Sequence, residues 1–170
     1  GNPAISYYDT TNDDLKYARN SATDGSGTWT ATIVDSTGNV GLFTSLTVVN
    51  GNPAISYHDA TNGDLKYVRA ADSGGTVWGT PLILDGTGTV GYYTSMAVVG
   101  GHPAISYYDA INRDLKYVRA TDANGSSWAG SQLIDAAVAV GQYDSLVVVA
   151  GSPAISYHDA TNGDLKYVRA

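Results

Sequence analysis

A 50-residue internal repeat constrains this chain more than any other feature. The motif G-x-P-A-I-S-Y-(Y/H)-D opens each copy, D-L-K-Y-x-R follows it, and a Trp, a second Asp and an S-L-x-V-V-like segment return in every complete copy. Such a fixed period is the signature of a repeat architecture. We therefore treat the chain as a single repeat domain, 1–170, with repeats 1–50, 51–100 and 101–150 and a partial repeat 151–170.

Each repeat carries four short strand patterns, which we call A to D. Strand A, S-L-T-V-V in the first repeat, is almost continuously apolar, as in a strand buried on both faces. Strands B (P-A-I-S-Y) and C (D-L-K-Y-V-R) flank Asn62-Gly63, a strong hairpin signal. Strand D runs from the Trp to the second Asp. A two-residue turn at Asn62-Gly63 would place Asp59 opposite Lys66.

These patterns predict an all-β fold, a β-propeller built from four-stranded antiparallel blades of about 50 residues. Helix is not expected, because no segment keeps a 3.6-residue apolar period. The strand order BCD, ABCD, ABCD, ABC gives about 3.5 blades, whereas closed rings usually have about four to eight. We therefore expect self-association, or a chain that is a fragment of a longer propeller. A stacked β-solenoid is the alternative architecture.

The loop between strands C and D carries a resemblance to known proteins. It reads T-D-G-S-G-T-W at 23–29, A-D-S-G-G-T-V-W at 71–78 and T-D-A-N-G-S-S-W at 121–128. This resembles a degenerate Asp-box of sialidase-type propellers, which implies a turn between the third and fourth strands of a blade. The whole chain also resembles repeats of secreted bacterial propellers and, more distantly, lectin propellers of the tachylectin and fucose-binding types. The resemblance implies a secreted, extracellular protein.

Composition and charge exclude several function classes. The formal net charge is -7, which argues against nucleic acid and against a polybasic membrane contact. With no Cys, a thiolate nucleophile or a Cys-ligated zinc site is impossible. All 16 acidic residues are Asp, so the Glu that sialidase-type catalysis implies is missing. We therefore expect no enzyme.

A candidate ligand site lies in the connection from strand D to the next strand A. Its aromatic residues suit stacking on sugar rings, its carboxylates suit sugar hydroxyls, and loops on a rigid scaffold often carry function. The alternative is that the same rings pack between blades. The candidate ligand-binding residues are Asp35, Phe43, Asp85, Tyr92, Tyr93, Asp135 and Tyr143.

We expect no cofactor, with calcium as the open alternative. Asp59-x-x-Asn62-x-Asp64 and Asp122-x-Asn124 offer hard oxygen ligands in tight loops. Asp and Asn also favour such turns by bonding their own backbone, and the closing bidentate carboxylate of an EF-hand is missing.

Together these features favour a secreted, non-catalytic binding module, a multivalent lectin-like propeller with a glycan ligand. Near-identical copies would then act through avidity. The alternative is a structural or protein-interaction segment of a larger adhesive protein.

Overall fold

The computed structural model describes all 170 residues and contains four antiparallel sheets without a helix. Each sheet is one blade, counted 1 to 4 along the chain. The strands are β1 (Ala4–Asp9), β2 (Asp14–Asn20) and β3 (Trp29–Asp35); β4 (Val40–Val49), β5 (Asn52–Asp59), β6 (Asp64–Arg69) and β7 (Leu82–Asp85); β8 (Val90–Val99), β9 (His102–Asp109), β10 (Asp114–Arg119) and β11 (Gln132–Asp135); and β12 (Val140–Val149), β13 (Ser152–Asp159) and β14 (Asp164–Arg169). The predicted β-propeller class is confirmed, with an incomplete ring of blades.

Strand order in every sheet follows chain order, so strands A to D run from the inside of a blade to its outside. Blade 1 lacks strand A and blade 4 lacks strand D. The innermost strands lie side by side in the order β1, β4, β8 and β12, which sets the blades in an arc. No helix in the structure is long and apolar enough to cross a membrane.

The core lies between blades rather than inside one sheet. Three apolar clusters fill the three blade interfaces. The one between blades 1 and 2 joins Leu15 and Tyr17 to Val40, Ile55 and Tyr57. Because side chains alternate across each strand, both faces of a middle blade become interior surface. A blade at the end of the arc therefore leaves one face uncovered.

The inner strands differ from their predicted form in two ways. They begin at Val40, Val90 and Val140, several residues before the S-L-x-V-V segment, so the expected loop at 41–44 is a bulged stretch of strand. They are also not buried along their whole length, since Val48 and Val147 are exposed.

Glycine makes the bulge possible. Gly41 has φ +102°, and a Cβ there would lie 2.7 Å from the backbone of Leu15 in the preceding blade. Gly91 and Gly141 occupy the same position in the next two blades. A side chain at these positions would be strained and would push the blades apart.

The hairpin register also differs from the prediction. Asp59 pairs with Asp64 and Tyr57 with Lys66, so the turn has four residues rather than two. The Asp59 carboxylate accepts hydrogen bonds from the backbone of Thr61 and Asn62, and Gly63 N donates to Asp59 O at 2.8 Å. The shift keeps each side chain on its predicted face, and Lys66 still lies 3.5 Å from Asp59.

Candidate functional site

A row of aromatic rings crosses three blades at the start of the inner strands. Phe43 lies 4.9 Å from Tyr93, and Tyr93 lies 4.4 Å from Tyr143, measured between ring centroids. The three residues occupy equivalent positions of β4, β8 and β12. We call Phe43, Tyr92, Tyr93 and Tyr143 the aromatic row. Four of the seven predicted site residues thus lie together.

The backbone under this row is in an unusual conformation. Phe43, Tyr93 and Tyr143 have φ values of 54°, 54° and 53°, in the left-handed region that L residues with bulky side chains rarely adopt. Such residues cost roughly 1–3 kcal/mol each and persist where the surrounding fold determines them. Here the three residues lie within the bulge of each inner strand, where the pairing register shifts.

Within the row, Tyr92 lies 4.8 Å from Phe43. Two further rings flank the row, and the first, His58, lies 4.5 Å from Tyr92. Tyr108 lies 6.2 Å from Tyr93. The row is half-buried in blades 2 and 3, and Tyr143 is 67% exposed. Burial, with help from the hydroxyl of Tyr143, raises the pKa of Tyr93 to about 12. At neutral pH the row therefore offers uncharged ring faces and a phenol that can donate a hydrogen bond.

The three predicted carboxylates lie elsewhere, at the ends of the outer strands. Asp35 accepts hydrogen bonds from Lys66 Nζ at 2.6 Å and from Tyr57 Oη at 2.7 Å, both in the following blade. Asp85 and Asp135 make the same contacts with Lys116 and Tyr107 and with Lys166 and Tyr157. Each set forms a clamp that ties one blade to the next. A ligand contact by these carboxylates stays a prediction.

The clamps are built to keep the carboxylates ionised. Burial favours the neutral form of Asp35, but hydrogen bonds from Lys66 and Tyr57 hold its pKa below the usual range. The pKa of Asp85 is lowered for the same reasons. Burial and the nearby carboxylate raise the pKa of Tyr57 far above that of a free tyrosine, so its hydroxyl stays a donor.

Asp144, which follows Tyr143, is a residue that the sequence reasoning did not select. Thr44 and Thr94 occupy the equivalent positions and bond Ser6 and Ser56 of the preceding blade at 2.9 Å. Asp144 is 8% exposed, bonds the hydroxyl of Ser106, and has one oxygen, Oδ1, without a partner. Burial raises its pKa well above the usual range. The sequence alone marks this position, because Asp144 stands where the other two repeats have threonine.

The two loops considered for calcium have their carboxylates engaged by the backbone. The Asp59 carboxylate accepts hydrogen bonds from the backbone N–H groups of its own turn. The Asp122 carboxylate accepts hydrogen bonds from Asn124 N at 2.8 Å and Ser127 N at 2.7 Å. No group of three or more His or Asp side chains is arranged to hold a metal ion.

Comparison with known proteins finds similarity in structure rather than in sequence. No family model and no curated protein matches the chain. The catalytic domain of a Coprinopsis cinerea GH62 alpha-L-arabinofuranosidase superimposes with a TM-score of 0.62 over 99% of this chain and 59% of its own, at 12% identity. An exo-1,5-alpha-L-arabinanase from a bovine ruminal metagenomic library gives a TM-score of 0.55 over 98% and 68%, at 14% identity.

A Cellvibrio cellulosa alpha-L-arabinanase, solved with arabinohexaose, gives a TM-score of 0.54 at 12% identity, again over 98% of this chain and 68% of its own. The chain thus spans less than two thirds of the fungal domain. At these identities the comparison shows the propeller fold and supports no residue correspondence. It supports neither the Asp-box resemblance nor the repeat families named above.

These matches correct two expectations. The chain was expected to be a non-catalytic lectin-like module, with a structural segment as the alternative, and not an enzyme. Both expectations were wrong as stated, because the matched structures are glycoside hydrolases. The absence of Glu does not exclude glycoside hydrolysis, since Asp can supply the carboxyl groups of this reaction.

Proposed function

We propose that this chain is a carbohydrate-active, glycosidase-like propeller that binds a glycan along the aromatic row. The observation that carries the proposal is the continuous contact from Phe43 through Tyr93 to Tyr143, with centroids 4.9 and 4.4 Å apart. The glycosidase matches support the same ligand class. Its place of action is proposed to be extracellular, where polymeric glycans are found.

The chemistry of the row suits a neutral oligosaccharide. Aromatic faces pack against the C–H groups of sugar rings, and the Tyr92 and Tyr93 hydroxyls can bond sugar hydroxyls. The chain carries a formal charge of -7, which disfavours acidic glycans over neutral ones. A row that crosses three blades fits an extended chain of sugars better than a single sugar.

Asp144 is the candidate proton donor. A general acid in glycoside hydrolysis needs a raised pKa so that it holds its proton near neutral pH. Burial raises the pKa of Asp144 well above the usual range, and no Lys or Arg forms an ion pair with it. Its carboxyl is buried against the hydroxyl of Ser106, so proton donation to a sugar stacked on the neighbouring Tyr143 would require this carboxyl to become exposed.

Calorimetric titration with arabinohexaose tests the binding part. We expect saturable binding that Tyr93→Ala weakens at least tenfold. Tyr167→Ala is the matched control, because Tyr167 is an exposed tyrosine on β14, outside the row. Equal affinity for wild type and Tyr93→Ala would contradict the site.

Release of reducing ends from arabinohexaose tests the catalytic part. Activity should need protonated Asp144, so it should fall as pH rises through the pKa of this residue, and Asp144→Asn should abolish it. Circular dichroism checks that the variant is folded. Binding without any hydrolysis would contradict the catalytic role and leave the binding site standing.

A further inference from the structure

The chain has four Asn-Gly dipeptides, at 50–51, 62–63, 124–125 and 162–163. An asparagine followed by glycine is prone to deamidation, because glycine has no side chain to shield its backbone nitrogen from the asparagine side chain. All four asparagines are exposed, so exposure does not distinguish them. The hydrogen bonds around the four dipeptides do.

Two of the dipeptides are held by their own hairpin turns. Gly63 N donates to Asp59 O at 2.8 Å, and Asn62 Nδ2 donates to the Asp59 carboxylate at 3.0 Å. The turn at 162–163 makes the same two bonds with Asp159, at 2.8 and 2.9 Å. The glycine nitrogen that would attack and the amide that would be attacked are therefore both held, which protects these two sites.

The dipeptide at 124–125 is held less tightly. Gly125 N donates to Asp122 O over 3.4 Å, and Gly125 is buried. The Asn124 side chain contacts only another exposed side chain, that of Asn50. We therefore expect protection at Asn124 to be weaker than in the two hairpin turns.

The dipeptide at 50–51 has a free glycine nitrogen. Val49 pairs with Asn52, so Asn50 and Gly51 form the whole turn between strands A and B of blade 2. Their φ values are 43° and 82°, as in the tight turns with two left-handed residues. Gly51 is exposed, and its N–H makes no hydrogen bond.

A guanidinium group lies on the peptide that would attack. Arg69 Nε and Nη2 donate to Val49 O and Asn50 O, both at 2.9 Å. When the Gly51 N–H loses its proton, the negative charge of the peptide is shared with Asn50 O. A hydrogen bond from a cation to that oxygen is strengthened by the charge. Arg69 therefore favours the nucleophilic form of the Gly51 nitrogen.

From these contacts we propose that Asn50 is a site of selective deamidation in the folded protein, promoted by Arg69. The Gly51 nitrogen gives its proton to solvent and bonds to Asn50 Cγ. The Cγ–Nδ2 bond breaks, and Nδ2 leaves as ammonia after taking a proton from water. A water molecule then opens the cyclic imide at either carbonyl, which gives aspartate or isoaspartate. The proposal does not depend on the glycan site.

The modification would act on a contact between two blades. Asn50 Nδ2 donates to Asn124 Oδ1 at 2.8 Å, which joins the turn of blade 2 to the loop between strands C and D of blade 3. Deamidation replaces this donor with a carboxylate, which cannot donate to an oxygen. The equivalent turns of the next two blades have Gly100 and Ala150 at this position, so the contact and the reaction belong to one turn.

Mass spectrometry of chymotryptic peptides measures the reaction at each site, because cleavage after Tyr57 separates Asn50 from Asn62. The full chain is held in mildly alkaline buffer before digestion. We expect Asn50 to react at least tenfold faster than Asn62 and Asn162, since both hairpin sites must first break two hydrogen bonds. In urea, the unfolded chain should react at similar rates at all of these sites.

The effect of Arg69 has a matched control in the next blade. Arg69→Ala should slow deamidation of Asn50 about threefold, because it removes a charge-assisted hydrogen bond to the attacking peptide. Arg69→Lys should retain part of the rate. Arg119→Ala should leave the rate unchanged, because Arg119 bonds only Val99 O. The rate at Asn62 in each sample checks folding, since unfolding would raise it.

Two outcomes would overturn the proposal. One is an equal rate at Asn50 and Asn62 in the folded wild-type chain, which would mean that the turn contacts do not select the site. The other is an unchanged Asn50 rate in both Arg69 variants at an unchanged Asn62 rate, which would mean that the guanidinium does not promote the reaction.

Discussion

Residues 51–70 and 151–170 have the same sequence except for Asn52, which is Ser152 in the second segment, yet their surroundings differ. Leu65 and Tyr67 are 0% and 1% exposed, whereas Leu165 and Tyr167 are 82% and 60% exposed. The first segment lies between two blades and the second ends the arc. The burial of a side chain in this fold therefore depends on whether a further blade packs against it. Residues 151–170 serve as an exposed control for the buried contacts of residues 51–70.

The largest expected contrast is between Leu65→Ala and Leu165→Ala. The first leaves a cavity in a filled interface and should lower the free energy of unfolding by about 3 kcal/mol or more. The second removes a side chain that is already in solvent and should change it little. Urea denaturation followed by circular dichroism measures both. A similar loss in the two variants would mean that the end face is covered in solution.

Next in size is the contrast between two clamps. Asp35→Ala removes the acceptor of Tyr57 and the nearer of the two carboxylates beside Lys66, which keeps only Asp59 at 3.5 Å, and breaking such a buried pair costs about 3 kcal/mol. The clamp of Asp135 with Lys166 is more exposed, so Asp135→Ala should cost clearly less. Thermal unfolding at pH 7 compares the two. If Asp135→Ala lowers the melting temperature more than Asp35→Ala does, the more buried clamp is not the one that contributes more to stability.

The two kinds of carboxyl also predict opposite pH dependence. The folded-state pKa of Asp35 is lowered, so its stabilising contribution is present above the unfolded pKa near 4 and is lost as pH falls through the folded value. The folded-state pKa of Asp144 is raised, so stability is lost as pH rises from the unfolded value toward the folded one.

Replacing Asp144 with threonine, the residue at the equivalent position of the other two repeats, tests the predicted direction of its pH dependence. Asp144→Thr introduces the side chain found at Thr44 and Thr94, removes the buried acid, and should stabilise the chain at pH 7 by about 1–2 kcal/mol. The gain should shrink at pH 4. A loss of stability at pH 7 would show that Asp144 is held by a partner other than Ser106.

The sequence predicts the blades well, because strand patterns and the repeat are local properties. It places Phe43, Tyr93 and Tyr143 in one site because equivalent positions of neighbouring blades must adjoin. It cannot give the register of the 60–63 turn, which depends on how the Asp59 carboxylate bonds the backbone. Nor does it separate the clamp carboxylates from the aromatic row, since Lys66 reaches Asp35 only once the blades stack.

The smallest expected effect concerns one hydroxyl at two equivalent positions. Tyr67→Phe removes the hydrogen bond to Asn124 O and should cost about 1 kcal/mol. Tyr117→Phe removes a hydroxyl that has no partner in the isolated chain, so stability should stay the same or rise slightly. Urea denaturation of both variants in parallel resolves the difference. If Tyr117→Phe costs as much as Tyr67→Phe, the hydroxyl of Tyr117 already has an acceptor in solution.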